Sequence, residues 1–141
     1  MDGSIVVGSA TAEALVGFVC WFLILTAGIG IFRTVLILGG RAPDQFRADA
    51  TDVSPFGLRL SRARDNVFEN LPAVGVLGLL AIATNQVALT DPLAMPLLYA
   101  RLAQSITHLA STSAPAIFLR FGLYLVQIVI LAWWAIQLCP A

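Results

Sequence analysis

Residues 59–72 read RLSRARDNVFENLP and lead directly into an apolar run that continues to residue 83. An Arg or Asp side chain in hydrocarbon costs about 2.5–3.5 kcal/mol on insertion scales, so such residues face a bundle interior, a watery cavity or a ligand. Charged residues beside an apolar run of this kind therefore predict a buried polar site between membrane helices.

Composition indicates an integral membrane protein. Hydrophobic residues make up 59% of the 141 residues, charged residues only 11%, and the mean hydropathy is +0.89. These values exclude an ordinary soluble domain. The basic and acidic residues balance at eight each, which gives no basic patch for nucleic acid. The predicted partners are membrane lipid, a small ligand and other subunits.

The apolar segments predict one domain over residues 1–141, an all-α membrane protein with a four-helix transmembrane bundle. Helices are expected at residues 11–38, 55–88, 93–111 and 116–138. The expected breaks are the glycines at 39–40 with the charged loop after them, a turn at 90–92, and residues 113–115. The first run is too long for a cleaved signal sequence and is expected to remain as an anchor. Cys20 and Cys139 suit neither a disulfide framework nor a metal site and are expected to be packing residues.

Arginine placement predicts the orientation in the membrane. Six arginines surround the first loop and Arg120 follows the last one. Because positively charged short loops stay in the cytoplasm, both termini are expected on the other side.

Three of the expected helices each carry one polar stripe, since residues three or four apart share a helix face. The second helix has Arg59, Arg62, Asn66 and Glu69, with Asp65 alongside; the third has Arg101, Gln104, Ser105, His108 and Thr112; the fourth has Arg120, Tyr124 and Gln127. We expect these stripes to converge near the cytoplasmic end of the bundle.

Two interpretations of the stripes remain open. In the structural one they join helices, with Arg62 or Arg101 neutralising an acid and the amides supplying interhelical hydrogen bonds. In the functional one, the excess of arginine over acid binds an anionic guest, because guanidinium groups pair bidentately with carboxylates and phosphates.

Other chemistries have little support. His108 is the only histidine, and it is expected to satisfy a neighbour's hydrogen bond, so no metal site is predicted. Ser105 and Ser111 lie in no nucleophile elbow, which disfavours serine hydrolase chemistry. A transporter is disfavoured because no inverted halves or paired broken helices are visible.

The chain resembles the MAPEG family, the membrane-associated proteins in eicosanoid and glutathione metabolism. The resemblance covers nearly the whole chain, and Arg120 followed by Tyr124 four residues later is one of the features that carry it. The others are Arg62-Ala63, Asn66, Glu69-Asn70 and Pro72 on the second helix and Ala100-Arg101 on the third.

That resemblance implies a homotrimer with active sites between subunits, in which glutathione is activated as a thiolate and attacks lipophilic electrophiles. By position it implies Arg120 as the catalytic residue that stabilises the thiolate, and a guanidinium near sulfur does lower a thiol pKa. It implies glutathione contacts from Arg62, Asn66, Glu69, Arg101 and Tyr124.

The chain also departs from the eukaryotic members. It has Arg64-Asp65 where they carry His-Arg, Gln104 where they carry His, and His108 where they carry Tyr. The Asp-Asn pair is more similar to the bacterial branch, which implies a bacterial inner membrane. We therefore expect a glutathione-dependent transferase or peroxidase, with a non-catalytic membrane module or a subunit of a larger complex as the alternative.

Overall fold

The computed structural model describes residues 8–47 and 54–140. Its four long helices are α1 (Ala10–Leu38), α2 (Pro55–Ala83), α3 (Val87–Ala110) and α4 (Ala114–Leu138), and a short 3₁₀ helix (Pro43–Gln45) follows α1. The all-helical four-helix bundle expected from the sequence is confirmed. Two serines cap helices, since Ser9 accepts from the N–H of Ala12 at 3.1 Å and Ser54 from that of Gly57 at 3.3 Å.

The predicted boundary between the second and third helices is wrong. The second helix ends at Ala83 and the third begins at Val87, so the connection is residues 84–86 and the expected turn at 90–92 lies inside α3. Asn85 supplies the turn with a φ of 57°, a conformation that Asn adopts more readily than most residues. Asp91 makes a tertiary contact instead, accepting from the backbone N–H and the hydroxyl of Thr11 at 2.9 and 2.6 Å.

The core joins all four helices around α3, which packs against each of the others. Phe18, Val74, Leu97 and Trp134 contribute one buried side chain from each helix. Close approach of α1 and α3 depends on Gly17, because a Cβ there would lie 2.6 Å from the side chain of the buried Leu98.

The outer surface is apolar, as lipid contact requires. Large hydrophobic side chains point outward on every helix, and Phe118 is 76% exposed. Helices α1, α2 and α4 are long and apolar enough to cross a membrane. Helix α3 carries several buried polar residues on its inward face, including the fully buried Arg101.

The two cysteines are not the packing residues that the sequence suggested. Both are free and exposed on the outer surface. Cys20 lines an apolar groove between α1 and α2. A thiol is apolar enough to lie at a lipid-facing position, which explains the difference.

Candidate functional site

A chain of four polar side chains links α2, α3 and α4. Arg101, whose side chain is 0% exposed, donates from Nη1 to Oδ1 of Asn66 at 2.7 Å and to its backbone carbonyl at 3.2 Å. Nδ2 of Asn66 lies 3.1 Å from Nε2 of His108. Arg120 Nη1 then donates to Nδ1 of His108 at 2.7 Å. The three polar stripes converge, as the sequence predicted.

A second polar contact fixes α4 against α3 beside this chain. Gln127 donates from Nε2 to Oε1 of Gln104 at 2.9 Å, and both side chains are buried. Gln104 in turn donates to the backbone carbonyl of Arg120 at 3.4 Å. These amide bonds hold the turn of α4 from which the Arg120 side chain projects.

An open cavity of about 270 Å³ lies beside these four polar side chains. Five polar side chains line it: Arg62, Asp65, Asn66, Glu69 and His108. Within the described residues, no hydrogen bond or ion pair joins the side chain of Arg62 or Glu69 to a neighbour. The cavity therefore presents a cation and an anion whose bonding capacity is unused.

The structure does not give Asp65 the partner that the structural interpretation expected. Its Oδ1 accepts from Nε and Nη2 of Arg64 at 2.8 and 2.6 Å. Neither Arg62 nor Arg101 neutralises it, because Arg64 is adjacent on the helix surface and Arg101 is turned inward to Asn66. The carboxylate of Asp65 is thus already paired with Arg64 before any ligand enters.

Arg101 carries the clearest sign of a missing partner. Its Nε and Nη2 are buried, and neither has a hydrogen-bond partner in the part of the chain that the structure describes. A buried polar group without a partner costs about 1–3 kcal/mol, and more when it is charged. Both nitrogens are enclosed within the single subunit, so their unused donors lie behind the wall of the cavity rather than on it.

The predicted site residues are only partly brought together. Asn66 and Arg101 are hydrogen-bonded to each other, Arg120 is hydrogen-bonded to His108, and Arg62 and Glu69 line the cavity next to these pairs. Tyr124 is 38% exposed on α4 and makes no hydrogen bond within the described residues. Among residues 8–47 and 54–140, no three His, Cys, Asp or Glu side chains gather as possible metal ligands.

The sequence model of the MAPEG family matches residues 10–139, nearly the whole chain. The chain belongs to the MAPEG family. It is thus a membrane protein of the family of glutathione and eicosanoid metabolism, whose members generally use glutathione. No curated protein and no solved structure matches the sequence.

In this MAPEG protein His108 satisfies a neighbour's hydrogen bond, as the sequence predicts, because it accepts from Arg120. It also contacts Asn66 and lines the cavity, although it is not among the predicted ligand contacts. One signal was available, because His108 lies seven residues after Arg101 and hence on the same face of α3. The identity of its two partners depends on how α2 and α4 pack, which the α3 sequence does not reveal.

Proposed function

We propose that this MAPEG protein is a glutathione-dependent transferase or peroxidase of a bacterial inner membrane, acting on lipophilic electrophiles. The observation that carries the proposal is the surplus of guanidinium around the cavity. Arg62 lines the cavity, and Arg101 and Arg120 lie behind its wall, bonded to the lining residues Asn66 and His108. With Arg64 paired to Asp65, these three guanidinium groups outnumber the one unpaired acid on the cavity, Glu69. An anion is the guest that such a site favours.

Glutathione fits this donor set by its chemistry. It carries two carboxylates, one ammonium group and one thiol. Arg62 on the cavity wall is suited to a carboxylate, and Glu69 is suited to the ammonium group. Arg101 lies behind the wall, bonded to Asn66, and adds positive charge there. Asn66 and Tyr124 add neutral hydrogen-bonding groups at the edges of the site.

Arg120 is the proposed catalytic residue. A guanidinium beside sulfur favours the thiolate, which is the nucleophile. In the transferase reaction the thiol loses its proton, the sulfur forms a bond to an electrophilic carbon, and the leaving group takes the electron pair. In the peroxidase reaction two thiols reduce a lipid hydroperoxide to an alcohol and water and leave as a disulfide.

The proposed assembly is a homotrimer with the site between neighbouring subunits. Exposed site residues support it, since Tyr124 and Glu69 both lie on the surface of the single subunit. Lipophilic substrates would arrive from the bilayer through the apolar outer surface.

Calorimetric titration of the detergent-purified protein with glutathione tests the ligand. We expect saturable heat with glutathione and with S-methylglutathione, which keeps both carboxylates but has no free thiol. Arg120→Ala should retain binding of the S-methyl compound and lose the thiolate absorbance of bound glutathione. Absence of heat from wild-type protein at millimolar glutathione would contradict the proposal.

The proposed orientation places both termini outside the cytoplasm. It is supported by Arg41 and Arg47 in the α1–α2 loop and by Arg120 near the start of α4, since arginine-rich short loops stay cytoplasmic. A C-terminal alkaline phosphatase fusion should be active and a C-terminal fluorescent-protein fusion dark. The reverse pattern would invert the topology.

A second candidate is a non-catalytic membrane module. It is favoured by the internal bonding of Arg101 to Asn66 and of Gln127 to Gln104, which joins helices without any ligand. On this view, native gels would show an intact oligomer and the titration with glutathione would give no heat.

A further inference from the structure

His108 lies between two hydrogen-bond donors. Arg120 Nη1 is 2.7 Å from its Nδ1, and Asn66 Nδ2 is 3.1 Å from its Nε2. A guanidinium can only donate, so Nδ1 must accept and carries no proton. Turning the ring over would present carbon atoms to both donors and lose both contacts.

The orientation of the Asn66 amide is also determined. Its oxygen accepts from Arg101 Nη1 at 2.7 Å, so its NH₂ group must face His108. A neutral imidazole has one proton, and with Nδ1 bare that proton is on Nε2. The N–H groups of His108 and Asn66 therefore face each other with no acceptor between them.

The surroundings keep the imidazole neutral. Arg120 contacts it from α4, Arg62 lines the same cavity from α2, and Arg101 is bonded to the neighbouring Asn66. The acids on that cavity are Glu69 and Asp65, and the second is paired with Arg64. A proton on Nδ1 would also set two donors against each other at 2.7 Å.

We propose that Arg120 locks His108 as the neutral Nε2–H tautomer, and that His108 Nε2–H and Asn66 Nδ2–H together bind a carboxylate oxygen of the ligand in the cavity. One oxygen that approaches both nitrogens from the cavity side would accept from both donors. The identification of the ligand as glutathione rests on the proposed function. The assignment of the tautomer is independent of that function. His108 is then a positioning residue for Arg120, which uses one of its five N–H donors on the ring and keeps the others for sulfur.

Nitrogen NMR of the protein labelled with ¹⁵N-histidine tests the tautomer without any ligand, because His108 is the only histidine in the chain. We expect a protonated Nε2 and a bare Nδ1 at neutral pH, and a larger Nδ1–H population in Arg120→Met. Arg62→Met is the matched control, since it removes an equal charge from the cavity but no contact with the ring, and it should leave the tautomer unchanged. A wild-type Nδ1–H or doubly protonated ring, or an Arg120→Met spectrum like that of the wild type, would overturn the inference.

Two isosteric variants test the carboxylate site. His108→Gln keeps a donor near the position of Nε2, whereas His108→Asn keeps only an acceptor near that of Nδ1. We expect the Asn variant to bind glutathione about 10-fold more weakly than wild type and the Gln variant to stay within about 3-fold, since hydrogen bonds to charged groups are worth this much. Equal affinities for the two variants would contradict the carboxylate site. Wild-type protein that shows the Nε2–H tautomer but binds no glutathione would contradict the proposed function and leave the tautomer lock supported.

Discussion

At the level of single residues, Arg120 is both the proposed catalytic residue and a residue held by two observed hydrogen bonds. Its Nη1 is engaged by His108, and its backbone carbonyl accepts from Gln104. Both contacts come from α3, so they restrict where the guanidinium can point. A charge held in place before the reaction stabilises developing negative charge at little reorganisation cost.

Arg120→Ala should lower the turnover of glutathione conjugation by about 10²-fold, by analogy with the loss of one oxyanion donor. A spectrophotometric assay with a chromogenic electrophile in detergent micelles measures it. Arg47→Ala, which removes an exposed loop arginine, is the control and should leave turnover unchanged. Equal rates for wild type and Arg120→Ala would exclude Arg120 from the chemistry.

The sequence indicates which residues lie on the polar faces of the helices, but not which of them contact each other. Arg101, Asn66 and Arg120 could be found because spacing puts each of them on a polar helix face. That Arg101 contacts Asn66, and that Arg64 takes Asp65, follow from rotations of α2 and α3 that place Arg101 inside and Asp65 outside. Helical periodicity alone leaves those rotations undetermined.

At the scale of helices, the boundary between α2 and α3 shows where sequence patterns mislead. Thr90, Asp91 and Pro92 have the composition of a turn, yet they lie inside α3. Thr90 and Asp91 both contact Thr11 in the first turns of α1, with 2.6 Å between the two threonine hydroxyl oxygens. The polar side chains that suggested a turn therefore form hydrogen bonds to α1 instead.

Asp91→Ala should lower the free energy of unfolding by about 1–3 kcal/mol, because the N–H and hydroxyl of Thr11 would lose their acceptor. Thermal unfolding in detergent, followed by circular dichroism, measures the change. Glu13→Ala removes an exposed acid from the same end of α1 and should change stability by less than about 0.5 kcal/mol. Similar losses in both variants would show that the contact contributes nothing specific.

Gly17→Ala should also destabilise the fold, by about 1–3 kcal/mol, since the new methyl group would meet the buried Leu98 side chain. Gly30→Ala in the same helix has open space around it and should be neutral or slightly stabilising. The same unfolding measurement compares the two. Equal midpoints would mean that the Leu98 side chain moves aside at no measurable cost.

At the scale of the whole molecule, the single subunit leaves several polar groups unused. Glu69 and Tyr124 lie on its surface, and two nitrogens of Arg101 lack partners within the described residues. The four-helix fold was predictable because apolar length and helix breaks are local properties. Contacts of polar groups with a ligand or another subunit cannot be predicted from the local sequence in this way.

Glu69→Gln should weaken glutathione binding by about 10-fold and leave the oligomer intact, because only the charge facing the ligand's ammonium group is removed. Titration calorimetry and native gel electrophoresis on the same sample measure both properties. Dispersal of the oligomer with unchanged affinity per subunit would instead assign Glu69 to the subunit contact.

The buried Arg101 also constrains how the protein is made. Its guanidinium finds its hydrogen-bond acceptors on α2, so α3 entering the bilayer alone would carry a charged group without them. The connection at residues 84–86 is short enough for α2 and α3 to leave the translocon together as a hairpin. Biogenesis of this chain should therefore proceed by joint release of these two helices, with the Arg101–Asn66 hydrogen bond formed before either helix meets lipid on all sides.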